Sequence, residues 1–507
     1  MSEEKTCMNF KNEIFTLEGF EKKGLKIWLQ LVEAELKGVP FEKKLVSKTI
    51  EGIEVQPLYT KENASILGGD FCSFLPNASS KDVKRHEWEI CEELPMKRPG
   101  YVSLNLLPFI EAGASAVQEL GIGLAMAIEE LKKAEDKGEL EAPSFYWISA
   151  AASDFFMEIA KFRAARILWA LVAEKCGFNE ESRTFLLGAR TAFRNKTKLD
   201  LHVNMLRSTS EALSMALGGC DLISVAPFNE VNGCSDAFSR RIGKNVQILL
   251  KEESHINAVT DISRGSFYIE TLTQTLCEKA WVFFQDIERK GGLKQALSET
   301  FIQSEILKVV SARKEAVSKR QDVIVGTSMY VNLGDELQAV MPSQQEKGQI
   351  EDLRPYRAAE DYEDLRYASL LYKKDTGHFP RVFLLTMGSF SDYNARADFC
   401  RGFLEPGGFE VVYPEGFTDS KAAVDAAVES GALIAVLCST DDKYPALVEE
   451  IAPFFKEKAS HVSLLLAGYP EEHIQKFKKA GIKDFVHLRA NNLDLLKNLQ
   501  KMAGVRK

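Results

Sequence analysis

Chemistry in a chain of this size is usually carried by histidines, cysteines and paired carboxylates, so their positions come first. The seven histidines are His86, His202, His255, His378, His461, His473 and His487, and none lies between Phe379 and Ser460. That gap contains Leu384–Phe399, LLTMGSFSDYNARADF, where a strand-like run gives way through a small-residue turn to a helix-like run. Such a loop has the shape of a ligand site, yet it holds no imidazole for metal binding or proton transfer. The nine cysteines are scattered without a CxxC pair, which points to reduced thiols and to neither a zinc site nor a disulfide framework. Cys438 has no histidine or lysine beside it before Lys443 and is read as a buried, inert thiol. Asp441-Asp442 follows a strand and is read as helix-capping. Lys161, Arg163 and Arg166 share the helix that starts near Phe155 and are read as a solvated or ion-paired face. His202, between Leu201 and Val203, is read as a packing residue. No GxxxxGK[ST] loop is present, so a P-loop nucleotide site is not indicated.

The elements that must position these residues fall into four regions, all α/β in character. Residues 1–62 read as an arm, with a helix from Phe20 to Leu36 and an extended GIEVQPLYT piece at 52–60. Residues 63–333 read as a β/α body. SFYWISAA (144–151), FLLGARTAF and LISVAPF (222–228) are strand-like, and helices are expected over 108–133, 154–176, 201–217, 236–253 and 267–289. Only four or five strands can be placed there, against the eight of a closed barrel, so an incomplete β/α barrel is expected. Residues 334–379 form a polar linker with a charged helical stretch. Residues 380–507 alternate strand-length apolar runs (381–387, 409–413, 432–438, 461–467, 484–488) with helical periods. Near-continuous apolar strands imply a parallel sheet covered on both faces, and the expected strand order is 2-1-3-4-5 with ligands at the carboxyl ends. The candidate cleft there comprises Gly388, Asp392, Tyr393, Ser439 and Gly468. No metal site is expected.

The net charge of −9 argues against nucleic acid or an anionic membrane as main partner. There is no apolar run of the roughly 20 residues a membrane span needs. The start, MSEEKTCMNF, lacks a basic segment followed by an apolar core, so a cytoplasmic location is expected.

Several strings resemble methylmalonyl-CoA mutase, and its small, non-catalytic subunit most of all: GASAVQELG (113–121), FFMEIAKFRAARILWALV (155–172), VNMLRSTSEALSMALGGCD (203–221), FSRRIGKNVQILLKEES (238–254) and VTDISRGSFYIETLTQTLCEKAW (259–281). The resemblance implies a truncated acyl-CoA-binding (β/α) TIM-type barrel joined to a flavodoxin-like, cobalamin-binding-like domain. It also implies adenosylcobalamin chemistry, but the family's catalytic residues do not carry over. The family holds cobalt through the histidine of D-x-H-x-x-G. Aligned on Met387-Gly388, the aspartate position falls on Phe390 and the histidine position on Asp392, and a small slip gives Tyr393 or Asn394. The family's H-C-Q-T-S-G-W string corresponds to Gly188–Arg194, with Gly188 in place of the histidine. Its R-Q-Y-A-G string has no counterpart between Lys61 and Pro99. Trp88-Glu89-Ile90 resembles the start of the barrel and Val102–Gly121 its middle, so roughly the first half is missing between them. A partner, or Ile50–Thr60 folding back, is expected to cover the open strand edges.

The expected function is therefore that of a non-catalytic partner, without catalytic residues of its own. It would bind no cofactor and would form a heterodimer with a larger mutase subunit that carries adenosylcobalamin. Two alternatives stand beside it: a diverged acyl-CoA mutase binding cobalamin without a histidine, and a free-standing interaction or regulatory protein.

Overall fold

In a computed structural model the chain is described over residues 7–10, 13–16, 23–64, 87–138, 143–179, 181–233, 235–335 and 350–506. Two separate five-stranded parallel sheets organise it. The first is built from Glu89–Cys91, Val102–Asn105, Phe145–Ala151, Leu186–Thr191 and Leu222–Ser224. Across the sheet the first strand pairs with the fifth, the fifth with the fourth, the fourth with the third and the third with the second, all parallel. The first and second strands are its two edges, so among the described residues this is an open part of a β/α barrel.

Alternation along the strands divides the apolar residues between two faces. Trp147, Leu187 and Ile223 face the helices and join the large core. Tyr146, Ile148, Leu222 and Cys91 form a smaller cluster on the other face. The helical layer includes Ala116–Asp136, Phe155–Lys175, Val203–Leu217, Ala237–Glu252 and Phe267–Arg289. One expected helix is two. Leu107–Glu111 ends in a turn at Gly113 (φ +107), and Ser115 restarts the chain with a capping box to Gln118. A side chain at Gly113 would run into Val310, which explains both the glycine and the break. Leu293–Ser298 and Phe301–Ser318 are further helices of this body.

The second sheet runs Glu410–Val412, Arg381–Thr386, Ile434–Cys438, Ser463–Ala467, Phe485–Val486. In sequence numbering this is the 2-1-3-4-5 order expected from the pattern. Val382, Leu384, Val436 and Leu465 pack under the helices Phe390–Leu404 and Asn492–Met502. Phe383, Leu385, Leu437 and Leu466 pack on the opposite face under Ser420–Glu429, Tyr444–Lys458 and Ile474–Ala480. Both faces are thus dry, as continuous apolar strands require.

The connector is stitched to both bodies. Tyr356 N–H donates to the Glu111 carbonyl (2.8 Å) and Ala358 N–H to that of Arg194 (2.9 Å). The helix Glu360–Thr376 then buries Tyr362 and Leu365 in the second core, where Tyr362 Oη donates to Asn492 Oδ1 at 2.8 Å. In the arm, the helix spans Leu25–Glu35 and buries none of its residues. The Ile50–Thr60 segment does not cover a sheet edge. Its strand Glu54–Val55 pairs with Ser47–Lys48 as a separate hairpin, and Ile53 tucks into the first core. What crosses the first sheet instead is the link between its first two strands, residues 92–101. Its Leu94 is buried against Cys91, Tyr146, Ile148 and Leu222.

Candidate functional site

Gly388 turns the chain out of the strand Arg381–Thr386, second in the order of the second sheet, with φ +100, a conformation that favours glycine. Ser389 then caps the helix Phe390–Leu404. Asp392 closes the capping box, its Oδ2 accepting from Ser389 N–H (2.8 Å) and Ser389 Oγ (2.7 Å). Lys443 Nζ lies 2.7 Å from the same oxygen. The lysine, then the serine hydroxyl and amide, hold this carboxyl down to about 2. A cleft of about 600 Å³ opens beside the turn, lined by Gly388, Phe390, Tyr393, Tyr413 and the Pro414–Gly416 turn.

Of the expected cleft residues, Gly388 and Tyr393 line this opening, and Asp392 belongs to the helix cap next to it. Ser439 and Gly468 do not line it. Ser439 is buried and its Oγ donates to the Met387 carbonyl (2.9 Å). Met387 N–H in turn donates to the Cys438 carbonyl (2.9 Å). These hydrogen bonds tie together the ends of the strands Arg381–Thr386 and Ile434–Cys438, where the strand order reverses. Gly468 sits under Arg396, whose Nη1 donates to the Ala467 carbonyl (2.7 Å) and Nη2 to Asp441 Oδ2 (2.9 Å). Asp441 is thus an ion-pair partner. The helix that follows starts without a side-chain cap, so the capping role expected of Asp441-Asp442 is not met. Cys438 is fully buried, and burial with Cys400 beside it pushes its thiol well up.

On the first sheet, Gly188 pairs with Ile148 and lies on the same face as Tyr146, two residues along the ladder. A β-carbon at Gly188 would sit 2.6 Å from the Tyr146 hydroxyl oxygen and 2.8 Å from the ring. The space for a side chain there is already filled by tyrosine. Above it, Arg190 makes a two-toothed pair with Glu230 (2.7 and 2.6 Å). The Glu111 carboxylate takes the amides of Phe193 (3.0 Å) and Arg194 (3.1 Å), which fixes the loop after the strand.

Lys161, Arg163 and Arg166 are buried, not solvated. Lys161 sits between Glu119 (2.8 Å) and Glu158 (2.6 Å) and donates to the Ala150 carbonyl (2.6 Å). Arg163 pairs with Asp261 and Glu270, and Arg166 with Asp221 at 3.0 Å. His202 rests its ring on Phe228 at 5.4 Å, a packing contact. Among the described residues no three His, Cys, Asp or Glu side chains gather to hold a metal ion, and no helix is long and apolar enough to cross a membrane.

The residues present at the turn do not fit cobalt ligation. Aligned on Met387-Gly388, the family's histidine position falls on a carboxylate already committed to an amide, a hydroxyl and an ammonium, and a small slip gives Tyr393 or Asn394, neither of which is an imidazole. Tyr146, Arg396 and Lys443 close these sites, and no local sequence signal marks them. Each acts on a partner reached only through the sheet register or across tens of residues.

An open parallel β/α sheet coupled to a 2-1-3-4-5 sheet, with its connector bound to both, defines an α/β protein that joins part of a β/α barrel to a flavodoxin-like sheet. The family model for methylmalonyl-CoA mutase matches residues 74–373. A methylmalonyl-CoA mutase small subunit from Porphyromonas gingivalis is 36% identical over 82% of this chain and 68% of its own length. The small subunit from Streptomyces virginiae is 36% identical over 78% of this chain and 64% of its own. A probable small subunit from Mycobacterium bovis is 33% identical, with 78% and 63% covered. The matched region spans about two thirds of the length of these relatives. The chain belongs to the methylmalonyl-CoA mutase family.

Proposed function

We propose that this chain is the non-catalytic small subunit of an adenosylcobalamin-dependent methylmalonyl-CoA mutase. A larger partner would hold the cofactor and interconvert succinyl-CoA and (R)-methylmalonyl-CoA in a cytoplasmic heterodimer. The observation that carries this reading is Asp392, a capped and ion-paired carboxylate where the family needs a free imidazole. Tyr146 standing in the space beside Gly188 supports it. So do the names of the three relatives described above, each called a small subunit or probable small subunit. The proposed units are the arm (1–62), the truncated barrel (63–333), the linker (334–379) and the C-terminal domain (380–507). The arm helix leaves Ile27 and Leu31 exposed, with Val39 just beyond it, which suits docking on another chain. The part played by this chain is then to stabilise the active fold of its partner by mass action.

Two measurements test this. Cobalamin titrated into the purified chain should give no stoichiometric spectral change; such a change would favour a mutase that binds cobalamin without a histidine. Co-expression with a larger, histidine-bearing mutase chain should yield a stable one-to-one complex. Failure to form one would leave a free-standing protein as the better reading.

A further inference from the structure

The first sheet poses a problem of closure. Its first strand ends at Cys91 on one edge and its second begins at Val102 on the other. Four inter-strand gaps of about 4.8 Å put these edges about 19 Å apart. The link must also return from the carboxyl end to the amino end of the sheet. Residues 92–101 can reach about 33 Å when extended, enough for a diagonal across one face but not for a path around the helices. The helix-bearing face is filled by Trp147, Leu187 and Ile223 with their neighbours. The link therefore crosses the opposite, concave face.

The contacts place the link on this face. Ser224 Oγ donates to the Glu92 carbonyl at 3.1 Å, and Arg240 pairs with the Glu92 carboxylate at 3.3 Å. Leu94 then buries itself among Cys91, Tyr146, Ile148 and Leu222. Arg98 returns to Glu89 on the first strand at 2.8 Å. Gln247, from the helix outside, donates to the Cys91 carbonyl at 3.4 Å. Sheet, link and outer helix are thereby tied at several independent points.

We infer that residues 92–101 are a built-in strap that closes the concave face of the half-barrel from within, so that this chain offers no channel along its strands to an elongated thioester. The strap replaces covering strands with an apolar anchor, Leu94, and an ionic one, Arg98. It also means that the concave face needs no partner to be dry, and a partner meets this domain elsewhere. The strap lies within this one chain and closes the face whether or not a larger subunit exists.

Cys91 lies under the strap and reports on it. Cys176 is exposed, and Cys277 is buried in the helical core away from the strap. The full-length chain is treated with iodoacetamide, and each cysteine is followed by peptide mass spectrometry. Cys176 should label at once, while Cys91 and Cys277 stay protected, with saturating succinyl-CoA making no difference. Leu94→Gly should release Cys91 by about tenfold or more, as a local opening, while Cys277 stays closed. If that variant opens Cys277 as well, it has unfolded globally, and the milder Arg98→Ala decides on the same criterion. Ready labelling of Cys91 in the unaltered chain would overturn the strap. So would exposure of Cys91 by succinyl-CoA, or protection of Cys91 that survives both strap variants in a folded protein.

Discussion

Substituting Gly188 tests whether Tyr146 really occupies the place where the family's histidine would project. The Tyr146 side chain is fully buried, among Cys91, Leu94, Ile148 and Leu222, and cannot swing away. An alanine β-carbon would meet its hydroxyl oxygen at 2.6 Å and ring atoms at 2.8 and 3.1 Å. Overpacking of this kind costs about 1–3 kcal/mol. Replacing glycine also restricts the unfolded chain, which returns about 0.4–1 kcal/mol where the backbone is compatible. Gly188→Ala should therefore destabilise the first domain by about 1–2 kcal/mol net. In a Tyr146→Ala background the clash disappears and only the unfolded-state term remains. There the same substitution should stabilise by a few tenths of a kcal/mol, a reversal of sign. Urea unfolding followed by tryptophan fluorescence reads this cleanly. All five tryptophans (Trp28, Trp88, Trp147, Trp169, Trp281) precede the second sheet, so the signal belongs to the arm and first domain. Equal effects in the two backgrounds, or a neutral Gly188→Ala in the unaltered chain, would refute the reasoning.

Other expectations follow from the same geometry. Lys161→Met leaves Glu119 and Glu158 buried without their cation and should cost about 3–5 kcal/mol, seen as a large loss in the same urea midpoint; a change under about 1 kcal/mol would mean that water reaches the pair. Asp392 has a depressed folded-state value, so its cap contributes above the unfolded carboxylate range and is lost only as pH falls toward about 2; an NMR titration of its carboxyl with a midpoint near the ordinary value, about 4, would contradict the Lys443 and Ser389 contacts. Asp392→His should remove the capping box and lower the stability of the C-terminal sheet, and should still produce no base-on cobalamin spectrum, because Ser439 and Met387 tie the strand ends behind it by hydrogen bonds. Arg357 holds Glu363 through two oxygens (3.0 and 2.5 Å), and Glu363 also takes the Lys198 amide at 2.6 Å; Arg357→Met should loosen the connector and speed proteolysis near residues 350–360, and unchanged cleavage would show the pair to be dispensable.

The C-terminal sheet was readable in the sequence because its strands are mostly apolar runs and helices such as Ser420–Glu429 show a periodic apolar stripe and a closing glycine, here Gly431. Its strand order follows from those signals and the rules of parallel sheets. The first body was harder to read. Glu89–Cys91 and Leu222–Ser224 are only three residues long, and the helices Leu293–Ser298 and Phe301–Ser318 left no expectation at all. The helix Phe155–Lys175 misled in a different way. Sixteen of its 21 residues are buried, so its cations lie in the interior where an amphipathic reading would set them in water. Around the cleft, Gly388 and Tyr393 could be read from the strand-to-helix turn. The roles of Ser439 and Gly468 depend on Met387 and Arg396, which stand 52 and about 72 residues away in sequence, a separation no local pattern spans. The covering of the first sheet by residues 92–101 was likewise hidden, since it follows from strand order rather than from residue type.

The claim at the centre of this account is that the chemistry belongs to another chain. It is tested most directly by supplying the purified full-length protein, alone, with adenosylcobalamin and succinyl-CoA and assaying for methylmalonyl-CoA. No product should form above the enzyme-free control until a larger, histidine-bearing subunit is added. Sustained turnover by this chain alone would contradict it.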